Sequence, residues 1–220
     1  MKAALLALLL AAAPPAEMPV EGVWKAQMPE TAAFLELDAN GRFGFFFSQG
    51  ALDATGEGRW ERSGDRLLLT SDPHPVPPRT TLLGSGSDGE PGLLVRIVAA
   101  DGKPVSLIDL FAEHPGGEVS HGLVQSYPGG EYRFEGQPPV KAVAVGSLIY
   151  DFDSPSFPVP SGANVMRFRF EPNDYAKVDF AALPVTIEAD GSLLLNWRGV
   201  DLRYRRHVEE PTDDRPEEQD

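Results

Sequence analysis

The 220-residue chain contains no cysteine. That excludes disulfide staples, thiolate metal sites and a cysteine nucleophile, and it removes the lipidated residue of a bacterial lipoprotein. Histidine is sparse as well, with four residues, which offers little for a zinc centre. Basic residues are outnumbered, 19 Lys and Arg against 33 Asp and Glu, for a formal charge of −14. A broad basic surface for nucleic acid is therefore not expected, because phosphate contacts dominate such binding. No Gly-x-Ser-x-Gly, no Ser-x-x-Lys and no phosphate-cradling glycine loop occurs. Beyond the N-terminus there is no second long apolar run, so no transmembrane segment is expected once that region is removed.

The N-terminus itself has a distinct composition. Met1-Lys2 is a short positive start, Ala3 to Ala13 is an apolar run of Ala and Leu only, and Pro14-Pro15-Ala16 breaks it. This is the pattern of a secretory signal peptide over residues 1–16, too short to span a bilayer as a helix; an uncleaved N-terminal anchor is the alternative. The expected location is periplasmic or secreted. A fold exported without disulfides must then rely on its apolar core. At the other end, residues 208–220 hold seven acids, one arginine and two prolines. That composition predicts a disordered, solvated tail.

Between these ends, 22 glycines and 21 prolines fall between short apolar runs, which favours many strands and turns over helices. Phe34 to Leu69 reads as two successive hairpins. In the first, Asp38-Ala39-Asn40-Gly41 separates two apolar runs, and Asn and Gly tolerate the positive φ that tight turns require. It resembles the opening of a calcium loop, but the later oxygen ligands are missing, so it is read as a turn. Phe43, Phe45 and Phe47 share one face, Gly44 and Phe46 the other. In the second hairpin Gly56, Gly58 and Trp60 alternate with Glu57, Arg59 and Glu61. This period-two pattern marks antiparallel strands with one wet face. Four prolines between Asp72 and Pro78 exclude a helix or central strand there. Thr80 to Leu83 is a predicted strand, and the Gly/Ser/Asp loop from Gly84 to Gly92 is a predicted boundary. Strands are then expected near Leu93–Ile97, Val105–Glu113, Val119–Gln125, Glu131–Phe134 and Val140–Val145. From Ser161 the alternating pattern returns in Met166, Phe168 and Phe170, in the hairpin Val185 to Trp197, and in Leu202 and Tyr204. Asn173-Asp174 could cap one helical turn through Phe180. The fold class is all-β: about six strands before residue 92 and about four after 160, forming either a closed antiparallel barrel or an open sandwich, with an inserted unit between.

Two resemblances add to this reading. The stretch carrying Leu94-Val95-Arg96-Ile97-Val98, Asp101-Gly102-Lys103-Pro104-Val105, Ile108-Asp109-Leu110-Phe111 and Gly130-Glu131-Tyr132-Arg133-Phe134 resembles the carboxypeptidase regulatory-like, or transthyretin-like, β-sandwiches. The resemblance implies a small accessory or binding module at 92–160 with no catalytic set. The flanking parts, 22–90 and 161–207, resemble the lipocalin-like barrels through Gly22-Val23-Trp24 and the Arg203/Arg205 pair, although the family's middle Thr-Asp-Tyr motif is absent. That resemblance implies that Trp24 lies at a barrel floor with Arg203 or Arg205 packed over it.

The candidate ligand-binding residues are Trp24, Phe43, Phe45, Phe47, Trp60 and Trp197, which either line an apolar cavity or fill the core. His114 and His121 flank a Pro-Gly-Gly-Glu turn. Pairing 114 with 119 would set them diagonally on one face, where they could share a metal; as solvated side chains they would share nothing. Asp151 and Asp153 share a face of their segment and could serve a glycan hydrolase. The expectation is a non-catalytic exported binding module, possible partners being a small apolar ligand or, alternatively, an envelope protein held through the insert. No cofactor and no metal are expected.

Overall fold

The structure is a computed structural model and describes residues 18–125, 129–136 and 139–208. The expected signal peptide and the acidic tail from 209 onward lie outside the described residues. The described chain is all β-strand and turn.

Five strands open the chain: β1 (Gly22–Ala26), β2 (Thr31–Leu37), β3 (Arg42–Gln49), β4 (Leu52–Ser63) and β5 (Arg66–Ser71). Three close it: β15 (Leu183–Ile187), β16 (Leu193–Trp197) and β17 (Val200–Arg206). These eight form one closed antiparallel barrel in the order β1-β17-β16-β15-β5-β4-β3-β2. Closure removes the exposed edges that an open sheet would carry. The Asp38–Gly41 turn is a turn as expected, with Gly41 at φ 81° and its N–H donating to the Asp38 carbonyl at 3.0 Å. Alternation decides what faces inward. Phe43, Phe45 and Phe47 are each 3 % exposed, with Leu67 and Leu69 of β5 fully buried on the same inner face, while Arg42, Glu57, Arg59 and Glu61 point out. Charges on the outer face and hydrocarbon within is the reverse of a lipid-facing barrel. Among the described residues no helix is long and apolar enough to cross a membrane.

Nine strands lie between the two halves. β6 (Arg79–Gly86), β7 (Leu93–Val98), β8 (Ile108–Glu113), β9 (Val119–Val124) and β10 (Glu131–Phe134) come first. β11 (Ala142–Ser147), β12 (Phe152–Asp153), β13 (Phe157–Pro158) and β14 (Val165–Glu171) follow. One sheet has the order β10-β7-β14-β6; the other has β12-β11-β8-β9, with β13 also paired to β11. Their inner faces share one apolar core, including Val95, Ile97, Leu110, Val143, Val145, Met166 and Phe168. β6 and β14, taken above with the barrel, pair in this sandwich instead: Arg79 opposes Glu171, and β14 runs parallel to β7. Period-two alternation in Met166, Phe168 and Phe170 reports a half-buried face, and it is the same whichever sheet supplies the partner.

Two connections join the bodies, and they are laced together. The Val76 N–H donates to Asp174 Oδ2 at 2.9 Å, the Asp174 N–H to the Val76 carbonyl at 3.0 Å, and Asn173 Nδ2 to the Pro77 carbonyl at 2.9 Å. The residues from Asn173 to Ala176 form a turn and not the helical turn expected, because Asn173 takes φ 46° and Asp174 bonds to the other connection. The returning chain then lies along β4 and the end of β5, exchanging backbone hydrogen bonds with Thr55 and accepting the Ser71 N–H at the Phe180 carbonyl. It places Phe180 inside the lumen, against Phe43 at 5.9 Å and Phe45 at 5.2 Å between ring centroids. Gly56 makes room for this: a Cβ there would meet Val178 Cγ2 at 2.8 Å.

Candidate functional site

The six aromatic candidates separate into two groups along the barrel. Trp24 and Trp60 belong to the end remote from the sandwich. Trp24 is 1 % exposed, donates through Nε1 to the Val20 carbonyl at 2.8 Å, and lies 4.7 Å beneath a guanidinium. That guanidinium belongs to Arg206, not to Arg203 or Arg205. The β1–β17 register puts Arg206 directly opposite Trp24, whereas Arg203 and Arg205 face outward to Ser192 and Asp190. Trp60 is half-buried and donates to the Asp38 carbonyl at 3.0 Å. Trp197, at the end facing the sandwich, packs edge-on against Phe45 at 5.3 Å and Phe47 at 4.9 Å. These rings, with Phe180 wedged among them, occupy the lumen where they meet.

Open space occurs where the barrel mouth meets the sandwich. A cavity of about 650 Å³ is walled by Val105, Ile108, Leu123, Leu148, Ile149, Phe170, Pro172 and Tyr175, with Ala51 from the β3–β4 turn of the barrel. Three of its bordering aliphatics stand in solvent: Leu107 is 63 % exposed, Leu148 65 % and Ile149 42 %. Water disfavours such exposure, so a cluster around an apolar opening marks a surface to be covered. The backbone here is held unusually too. Leu107 has φ 59°, Asp151 φ 57°, Asn173 φ 46° and Arg198 φ 51°, all in the left-handed region. For non-glycine residues this costs on the order of 1 kcal/mol each and is retained where surrounding contacts over-determine it. Those contacts are visible. The Leu107 N–H donates to the Val124 carbonyl at 2.7 Å, and Arg198, in the β16–β17 turn, donates through Nη1 to the Ile149 carbonyl at 2.9 Å.

Tyr150 and Tyr175, with centroids 4.2 Å apart, line both this cavity and a second of about 350 Å³. The smaller cavity is bordered by Lys177, Asp179, Trp197 and Arg198, so Trp197 reaches open space. Burial pushes the Tyr175 phenol above its ordinary value. The nearby Ser147 hydroxyl opposes that shift, and the charges of Tyr150 and Asp109 add to it.

The other candidates are dispersed. Phe111 opposes His121 and Ala112 opposes Ser120, one residue away from the register assumed above. His114 is therefore inside, 3 % exposed, its Nε2 2.8 Å from Ser120 Oγ and its Nδ1 3.2 Å from the Pro139 carbonyl. His121 lies on the opposite face, with Nε2 2.6 Å from Asp109 Oδ1, so the two histidines cannot share an ion. Among the described residues no group of three or more His, Asp or Glu is placed to hold a metal. The Asp151 carboxylate is 85 % exposed and lies 3.9 Å from Arg198, and Asp153 sits in β12 opposite Gly146. No family model, no curated protein and no solved structure matches the chain. The junction cavity had no sequence signature. Its walls come from stretches scattered between Ala51 and Tyr175, and residues such as Leu107 and Leu148 look like ordinary loop aliphatics.

Proposed function

We propose that the chain is a non-catalytic binding module that takes a small apolar ligand in the junction cavity between barrel and sandwich. The single observation carrying this reading is an apolar cavity of about 650 Å³ bordered by three solvent-exposed aliphatic side chains. Concave, mostly apolar sites with a few polar groups at a junction of two bodies are the usual form of small-molecule pockets. The exported setting belongs to the same proposal and rests on the signal-like pattern at 1–16. The closed eight-stranded barrel, with Trp24 beneath an arginine, supports reading this part as lipocalin-like; the ligand site is displaced from the lumen to the mouth.

The test uses the neutral fluorescent probe N-phenyl-1-naphthylamine with the full chain. Binding should be saturable, and Leu148→Asp should weaken it about tenfold, roughly 1.4 kcal/mol. Stability should move by no more than about 0.5 kcal/mol, since the side chain is mostly in solvent. Absence of binding, or binding indifferent to Leu148, overturns the reading. The same aliphatics would serve a protein partner, and co-purification of one partner through Leu107 and Leu148 without probe binding would favour that alternative.

A further inference from the structure

The cavity is nearly uniform in chemistry, with one exception. Among the described residues that border it, one side chain is a carboxylate, Asp109, and none is Lys, Arg or His. The remaining polar groups are the Ser106 hydroxyl and the phenols of Tyr150 and Tyr175. The nearby cations, Lys177 and Arg198, border the smaller cavity beyond the tyrosine pair. Asp109 is no surface acid: its side chain is 10 % exposed. One carboxylate oxygen is held by His121 Nε2 at 2.6 Å, and the other accepts from the Leu148 N–H at 2.8 Å. Both partners fix the carboxylate, and each oxygen keeps a second lone pair. A carboxylate in a poorly solvated pocket acts on a charge beside it far more strongly than it would in water.

We infer that the ligand of this cavity is an apolar amine, its ammonium group set against Asp109 and its hydrocarbon against Ile108, Leu123, Leu148 and Phe170. This rests on the junction cavity being a ligand site. A fatty acid is the wrong partner, because its carboxylate would be set beside another, with no Lys, Arg or His among the described residues that border the cavity to separate them. An ammonium group finds a fixed carboxylate and the hydroxyl oxygens of Ser106, Tyr150 and Tyr175 as acceptors. The overall charge of −14 draws cations toward the molecule and repels anions.

The experiment displaces bound N-phenyl-1-naphthylamine from the full chain with three competitors of one chain length: decylamine, 1-decanol and decanoate, at neutral pH and moderate salt. The amine should displace the probe at the lowest concentration and decanoate at the highest, with the amine and the acid separated by roughly tenfold or more. Asp109→Asn keeps an oxygen for the Leu148 N–H and removes the charge. It should erase the advantage of decylamine over decanol and leave decanol unchanged. Decanoate binding as well as the amine overturns the inference. So does an amine advantage that survives Asp109→Asn, which would assign it to the overall charge. Equal weakening of all three competitors would make Asp109 a brace for the 148–150 segment and would likewise overturn it. If Asp109→Asn fails to fold, the competitor order on the unaltered chain is measured again at high salt: an amine advantage that persists belongs to the buried carboxylate, and one that vanishes belongs to the overall charge and overturns the inference. If the probe itself does not bind, the cavity is not the site, and the parent proposal falls before this one is reached.

Discussion

The lumen of the barrel and the junction beside it are both walled by aromatic and aliphatic side chains, yet one is filled and the other is open. In the lumen most inward positions are supplied by regular strands, Val20 is added from before β1, and the returning connection packs Phe180 against Phe43 and Phe45. Even the Tyr204 hydroxyl is sealed in without a partner among the described residues, its phenol raised by burial. At the junction the walls are supplied by strand ends, turns and connections, with Leu107 among them in the left-handed region and Asp151, Asn173 and Arg198 so held nearby. Regular strands converge and pack, whereas irregular backbone pinned at both ends can leave space. A row of aromatics is therefore a sign of core, and strained connections with stranded aliphatics are the better sign of a site.

The largest test of this contrast is in the lumen. Phe45→Ala should cost about 3–5 kcal/mol in chemical denaturation, the range for truncating a fully buried ring. It should leave binding of the naphthylamine probe to the folded protein unchanged, because Phe45 does not border the junction cavity. A small loss of stability would mean that the lumen is loosely packed and could itself hold the ligand.

Much of the barrel was legible beforehand because alternation is a local property. Phe43, Phe45 and Phe47 announce their shared face, Asn40-Gly41 announces a turn, and the returning hairpin around Ala189-Asp190-Gly191 does the same. Partner choice is less local. β14 alternates as a barrel strand would, and its place beside β7 and β6 is settled by packing in the insert. Arginine placement failed for a similar reason. Arg203, Arg205 and Arg206 are consecutive enough that only the register with β1 shows which one meets Trp24. One residue of register likewise decided that His114 and His121 lie on opposite faces. The cavity was the least legible feature, since strain at Leu107 or Arg198 is a consequence of long-range hydrogen bonds and leaves no mark on composition.

A smaller effect probes the strain. Leu107→Gly relaxes a φ of 59° and removes an exposed side chain, but it also loosens the unfolded chain. The net change should be a stabilisation of about 0.5 kcal/mol, read as a modest rise in melting temperature, with probe affinity falling as the mouth loses one wall. Stability gained with affinity unchanged would mean that Leu107 does not serve the site.

The smallest effect concerns the connections. Asp72, at the start of the outgoing one, is held below its ordinary value of 3.8 by hydrogen bonding to Arg59, with Arg42 assisting. Asp174, in the returning one, is held below 3.8 by the Val76 backbone N–H and then by Lys177. A carboxylate lowered in the folded state stabilises it above the unfolded value, and that contribution is lost as pH falls through the lower folded value. Both groups are half-exposed, so the loss is modest and screened by salt. Acid should therefore loosen the laced connections, and with them the cavity, before it disturbs the apolar packing around Trp24. Titrating downward from about pH 6, the naphthylamine signal should fall at a higher pH than tryptophan emission shifts. Asp174→Asn, which keeps an acceptor for the Val76 N–H but no charge for Lys177, should flatten the first transition and spare the second. Coincident transitions would mean that junction and lumen unfold as one cooperative unit, and the opening between them would then be as rigid as the core beside it.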